Sequence, residues 1–219
     1  MNIAMIPARM GSQRLAKKNL REINGVSLIQ RAVRKCLQTN AFDEVWINSE
    51  HPDFGVIAKQ EGVNFHKRPE HLGNNQATSE DYIEDFLKAH WCERIFQVHS
   101  IAPLLTVSEI KAFAVEIDRT QVDTLLSTED IQLECIYAES PVNFTLEEKT
   151  NSQDLKPVRK ISWSISSWNS KKFLDAKSRG LCATYSGRVG YFSLSKFSSH
   201  VIKTEEDLKI AEALLPFVT

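Results

Sequence analysis

The segment Ile6-Pro7-Ala8-Arg9-Met10-Gly11-Ser12-Gln13-Arg14-Leu15-Ala16-Lys17-Lys18-Asn19 gathers four cations, Arg9, Arg14, Lys17 and Lys18, around the small residues Gly11 and Ser12. A short apolar run, Ile3 to Ile6, leads into it. An apolar strand that opens into a small, basic, polar loop suits a polyphosphate, because backbone N–H groups and cationic side chains then converge on one anion. The P-loop pattern and the glycine-rich dinucleotide turn are both absent. The plain alternative is a basic surface loop after an edge strand.

Other side chains offer less chemistry. His51, His66, His71, His90 and His200 lack the spacing of zinc ligands, and no serine or cysteine nucleophile motif occurs. Cys36, Cys92, Cys135 and Cys182 are far apart with no C-x-x-C. They read as reduced, mostly buried thiols of a cytoplasmic protein. The net charge is −1, and lysines and arginines are spread along the chain. No polybasic stripe invites nucleic acid, and no basic amphipathic helix invites a membrane surface. The first apolar run is shorter than a signal peptide requires and is interrupted by Pro7 and Arg9. Nothing approaches the length of a membrane span.

Taken in order, Ile6-Pro7-Ala8-Arg9, Gly11-Ser12, Arg14-Leu15, Lys18-Asn19-Leu20, Gly25 and Leu28-Ile29 resemble the opening signature of the acylneuraminate cytidylyltransferases. That family joins CMP from CTP to acidic eight- and nine-carbon sugars such as sialic, legionaminic and pseudaminic acids. Three further stretches resemble its later motifs. Lys67-Arg68-Pro69-Glu70-His71-Leu72, followed by Ala77-Thr78-Ser79, matches a loop that the family places near the base. Asn74-Asn75 departs from it, since an aspartate is usual at the second position. His99 to Thr106 matches through Ala102-Pro103-Leu104, with His99 where a substrate-facing glutamine is usual in the sialic acid branch. Gly187 to Phe192 matches a strand that lines the family's sugar pocket, with Ser186 in place of an asparagine.

The resemblance implies roles. Arg9 and Lys18 would hold the β- and γ-phosphates and stabilise the departing pyrophosphate. Ala8, Gly11, Ser12, Asn19, Arg68 and Thr78 would complete the nucleotide side. His99, Ala102, Gly187, Arg188 and Tyr191 would face the sugar. Arg14 and Lys17 stand open between phosphate contact and solvent. Lys156, Arg159 and Lys160 are candidates for the sugar carboxylate without a residue-by-residue match.

One family feature is missing. The family uses Mg2+, held by two aspartates in an I-D-I-D-T run near the carboxyl end. This chain reads Val201-Ile202-Lys203-Thr204, so Val201 and Lys203 replace both acids. Magnesium needs oxygen ligands, and none of the remaining residues is assigned to a metal. Lys203 is instead a candidate catalytic cation that would place its ammonium near the phosphates, as a point charge that cannot template oxygens.

These residues need a frame to hold them. Apolar runs at 2–6, 44–48, 63–66, 94–99, 123–127 and 188–194 read as strands. Helical periodicity marks 26–38, 54–60, 79–90, 107–117 and 205–215. Thr78 or Ser79, and Thr204 with Asp207 three residues on, read as helix N-caps. Alternation of this kind predicts an α/β protein with a mostly parallel, Rossmann-like sheet, and a ligand site at the carboxyl ends of its strands. The family equivalent is the nucleotide-diphospho-sugar transferase fold.

Gln132 to Ala138 reads as a strand, 141–157 lacks periodicity, and Ile161, Trp163 and Ile165 alternate with serines. The resemblance makes 132–175 a β-rich excursion used in a homodimer; a hairpin folded onto its own domain fits the same pattern. The expectation is a single domain over 1–219 that transfers CMP from CTP to an acidic nonulosonic sugar, releasing pyrophosphate. Its partners would be CTP, that sugar and a second copy, with no nucleic acid and no membrane. A catalytically degenerate nucleotide- or sugar-binding homologue, acting as a regulatory or partner subunit, is the alternative.

Overall fold

A computed structural model describes residues 1–218 of the chain. Its strands are β1 (Asn2–Pro7), β2 (Glu22–Ile23), β3 (Val26–Ser27), β4 (Glu44–Ser49), β5 (Asn64–Lys67), β6 (Arg94–Val98), β7 (Thr124–Ile131), β8 (Ile136–Tyr137), β9 (Ser140–Pro141), β10 (Val158–Asn169) and β11 (Val189–Ser193). The helices are α1 (Leu28–Thr39), α2 (Pro52–Glu61), α3 (Ser79–Ala89), α4 (Val107–Thr120), α5 (Ser170–Ser178) and α6 (Glu205–Leu214).

Seven strands form the central sheet in the order β11-β7-β10-β6-β1-β4-β5. All neighbours are parallel except at β10, which runs antiparallel to both β6 and β7. The twofold period of a strand sends alternate residues of β1 to opposite faces. Ala4 and Ile6 meet α1, α2 and α4 through Val33, Phe54 and Phe113. Ile3 and Met5 meet α3 and α5 through Phe86 and Phe173. A third apolar cluster joins Leu15 of the basic loop to Ile23, Leu28 and Ile202 and to Leu208 and Ala211 of α6. That cluster brings the amino-terminal loop against the carboxyl-terminal segment.

Local chemistry sets the boundaries. The helix expected from Val26 begins at Leu28. Asn24 and Gly25 both take positive φ, the signature of a tight hairpin turn. Val26 and Ser27 therefore pair back onto Glu22 and Ile23. Ser27 then caps α1 in a reciprocal box with Gln30, as Thr78 does with Asp81 and Thr204 with Asp207.

The stretch after residue 131 differs from expectation. Gln132 to Ala138 is not a strand. Only Ile136 and Tyr137 pair, with Pro141 and Ser140, around the positive-φ residues Ala138 and Glu139. Nor does the excursion extend to 175, because β10 lies in the central sheet and α5 packs on it. The alternating pattern is broken at Trp163, whose φ is +60° where the register shifts between Ile161 and Ser166. The serines of that alternation are buried: Ser162 bonds Ser127 at 2.8 Å, Ser164 donates to the Ser198 carbonyl at 2.6 Å, and the Ser166 hydroxyl has no partner. No helix among the described residues is long and apolar enough to cross a membrane.

Candidate active site

The order of strands reverses between β1 and β6, and a cleft of about 380 Å³ opens there at their carboxyl ends. This is where an open parallel sheet leaves a crevice for a ligand. Of the expected residues, Ala8, Arg9, Ser12, Lys18, Asn19, Arg68 and His99 line it together. Arg14 lines it as well; Lys17 is exposed, with a φ of +49°.

The loop is held from beneath. Asn19 is buried; its Nδ2 donates to the Arg9 carbonyl at 3.0 Å, and its Oδ1 accepts from Ser100 Oγ at 2.8 Å. Both ends of the side chain are thus engaged in fixing the loop. Arg9 donates across the cleft mouth to the Asn74 carbonyl and to Asn75 Oδ1, at 3.2 and 2.8 Å. An arginine has five donors, so several remain for a ligand. Lys18 Nζ donates to the Ile202 carbonyl at 3.1 Å. Burial, then the like charges of Arg14 and Arg9, hold its ammonium below the usual lysine range. Asp207 opposes this and Lys203 adds to it.

Arg68 is buried between Glu50 and Tyr82. Its Nη2 donates to Glu50 Oε2 at 3.0 Å and to the Ala8 carbonyl at 3.1 Å, and its guanidinium lies 4.9 Å from the Tyr82 ring centre. Its Nε and Nη1 are buried without partners. Glu50 also accepts from the Met10 amide at 2.8 Å, so one carboxylate braces two walls of the cleft. Burial and the neighbouring Lys18 push the His99 imidazole down to about 4. His99 is therefore neutral at neutral pH and offers a hydrogen bond rather than a charge.

Glu50 and Tyr82 went unnoticed in the sequence. Glu50 had one available signal, its position just past the carboxyl end of β4. Tyr82 looked like one more apolar residue on the face of α3.

Other expected residues stand elsewhere. Gly11 is exposed, and a Cβ there would meet nothing within 4 Å, so no protein contact requires glycine. Thr78 caps α3 and faces a neighbouring recess with Trp163 and Tyr185. Ala102 is buried in the core beneath the loop that follows β6.

Gly187 and Arg188 require correction. They precede β11 at the amino end of the sheet, opposite the cleft. Arg188 donates to the carbonyls of Thr120 and Gln121 at the end of α4, and its amide donates to Asp123. Tyr191 is half exposed on the edge strand, three strands and about 14 Å from β6. Arg159 and Lys160 pair with Asp130 and Glu129 across β10 and β7.

The residues at the implied magnesium position do not fit a divalent ion. Val201 packs against the main apolar cluster, and Lys203 is an exposed cation. Among the described residues, no group of three or more His, Cys, Asp or Glu could hold a metal. Asp207, the acid beside Lys18, already accepts the Lys203 and Thr204 amides, each at 2.8 Å.

Residues 3–214 match the sequence model of the family described as cytidylyltransferase. The chain is 24% identical over 221 residues to the N-acylneuraminate cytidylyltransferase of Streptococcus agalactiae serotype V, covering 94% of this chain and 51% of that protein. It is 33% identical over 88 residues to the enzyme of that name from Escherichia coli, covering 40% and 21%. The chain thus spans about half the length of the streptococcal relative and about a fifth of the E. coli one.

Two solved structures share its fold. A CMP:2-keto-3-deoxy-manno-octonic acid synthetase complexed with CTP aligns with a TM-score of 0.71 at 14% identity, over 99% of this chain and 98% of that one. The 4-diphosphocytidyl-2C-methyl-D-erythritol synthase of Anaerococcus prevotii aligns with a TM-score of 0.71 at 16% identity, over 98% of each.

Proposed function

The chain belongs to the cytidylyltransferase family, and we propose that it transfers CMP from CTP to the anomeric hydroxyl of an acidic nonulosonic sugar. One observation carries this reading: Arg9, Arg14 and Lys18 converge on a cleft at the switch point of the sheet whose two neighbouring acids are already engaged, Asp207 with backbone amides and Glu50 with Arg68 and the Met10 amide. Such a cleft complements a polyphosphate. The sugar oxygen would attack the α-phosphorus in line. The bond from that phosphorus to the bridging oxygen would break, and pyrophosphate would leave toward Arg9 and Lys18. Cations fixed where charge accumulates contribute most of the acceleration in such transfers. Arg68, tied to Glu50 and to the Ala8 carbonyl, would order the loop around the base, and neutral His99 would hydrogen-bond the sugar.

The protein would work in the cytoplasm as a homodimer. The 132–157 arm, with Leu133, Ile136, Tyr137 and Leu146 exposed, is the surface offered for that contact.

Val201 and Lys203 favour a second reading, in which the chain binds nucleotide without turning it over and serves as a regulatory subunit. Pyrophosphate release, measured with each nucleoside triphosphate, a panel of nonulosonic acids, and magnesium or chelator, separates the two. Release with CTP supports the transferase. CTP binding without release under any condition supports the subunit, and absence of CTP binding rejects both. Release that survives chelation assigns the metal's charge to Lys203; strict magnesium dependence removes that role.

A further inference from the structure

A second cavity, of about 560 Å³, lies away from the cleft, between α1, α4 and the carboxyl-terminal turn. Three cations line it: Arg31 and Lys35, one turn apart on α1, and Lys111 on α4. Among the described residues, no carboxylate lines it. The remaining wall is apolar or neutral, with Pro103, Val107, Leu215 and Val218 beside hydroxyls of Thr106 and Ser108.

The cations are poorly compensated. Arg31 Nη2 donates to the Ile23 carbonyl at 2.7 Å, and Lys35 Nζ donates to the Pro103 carbonyl. The Nε of Arg31 is buried with no partner. The nearest acid, Glu109, is already bonded to the amide and hydroxyl of Thr106, to the Ser195 amide and to Ser198 Oγ. Glu61, the other acid near α1, pairs with Arg34. Two like charges that share a desolvated groove with no counterion repel each other and lose hydration. The amino end of the 14-residue α4 adds positive potential to the same wall.

We propose that this cavity binds a phosphate monoester with a small apolar substituent. The dianionic head would sit between Arg31, Lys35 and Lys111, and the substituent against Pro103, Val107 and Leu215. The charge count favours a dianion over a carboxylate. The assignment does not rest on the reaction proposed for the cleft.

Lys35 supplies its own reporter. Burial and Arg31 push its amine down to about 7, so a large fraction is nucleophilic at neutral pH. The groups that face it are Arg31 and Cys36 on α1, and Glu109 and Lys111 on α4. The full chain is treated with an acetylating reagent at neutral pH, and acetylation of Lys35 is followed by mass spectrometry. Phenyl phosphate, a few times above its Kd, should slow that acetylation about fivefold, with little effect on exposed lysines such as Lys59. Benzoate should protect less. Arg31→Gln and, on the exposed rim, Lys111→Gln should each weaken protection.

Absence of protection at millimolar phenyl phosphate overturns the proposal. Equal protection by benzoate overturns the phosphate assignment. Full protection retained in both variants overturns the site. The wild-type measurement stands alone if Arg31→Gln does not fold.

Discussion

Replacing Lys18 with methionine should separate what the basic loop contributes to binding from what it contributes to stability. Lys18 sits among Arg9, Arg14 and Lys203, and its folded environment disfavours its charge. Methionine keeps most of the aliphatic stem and removes the ammonium. The lost hydrogen bond to Ile202 costs about 1 kcal/mol, and relief of like-charge repulsion offsets much of it. The net change in unfolding free energy should stay within about 1 kcal/mol.

Binding should change far more. Two unit charges about 4 Å apart interact by about 4 kcal/mol at an effective dielectric of about 20. Water in the open cleft, with Arg9 and Arg14 still in place, reduces the loss to about 2 kcal/mol. That corresponds to an increase of about 30-fold in the CTP dissociation constant. Urea unfolding and calorimetric titration with CTP, at one fixed salt concentration, measure the two quantities. A stability loss above about 3 kcal/mol with CTP affinity within about threefold of wild type would show that Lys18 is a structural tie, and would sink the phosphate assignment.

Three other outcomes are expected. His99 has a folded value of about 4 against an ordinary 6.5, so the unfolded chain binds its proton first. Its contribution to stability is present above the unfolded value and is lost as pH falls from about 6.5 to 4, by about 3 kcal/mol at most. NMR titration of His99 checks this, and a resolved midpoint above 6 would contradict it. Arg68→Met leaves Glu50 buried with only the Met10 amide, and should cost about 3–5 kcal/mol in thermal unfolding. Gly187→Ala adds a Cβ at a φ of +68° that would collide with Asp123, so stability should fall by about 2 kcal/mol or more with CTP affinity unchanged. A selective loss of CTP or sugar binding in that variant would restore Gly187 to the site.

Much of the frame was legible because its signals are local. The Thr204 and Asp207 cap and the apolar face of α1 each lie within a few residues, whereas the hairpin around Asn24 and Gly25 was not read and moved the start of α1. The position of the basic loop was legible too, since it follows the first strand directly. The role of β10 was not. Its pairing with β6 and β7 joins residues tens of positions apart, and its buried Ser162 and Ser164 are satisfied by Ser127 and the Ser198 carbonyl, contacts that no periodicity reports. Arg188 misled for a similar reason. The residues around it match a family strand, but its guanidinium is committed to the end of α4, a contact fixed by register rather than by type. Glu50 and Tyr82 escaped because neither belongs to a motif; each matters through what stands opposite it across the cleft.

Charge pairing elsewhere in the molecule sharpens the meaning of the cleft. Arg21 pairs with Glu205, Arg34 with Glu61, Arg119 with Glu116 and Lys177 with Asp81. Of the cations lining the cleft, Arg68 pairs with Glu50 and Arg9 meets amide oxygens, while Arg14 and Lys18 have no such partner among the described residues. In the family pattern, two aspartates and one divalent ion sum to zero at the positions of Val201 and Lys203. Here those positions sum to +1 without an ion. The field offered to a triphosphate is therefore at least as positive as the family's. What Val201 and Lys203 do not themselves supply is the directional grip of an ion on phosphate oxygens, which an ammonium cannot reproduce. Binding needs the field alone, whereas a transfer that relies on such a grip would be slowed without it. CTP affinity should therefore persist under chelation even where the rate of transfer is low, and a chain that requires magnesium merely to bind CTP would contradict the whole electrostatic account.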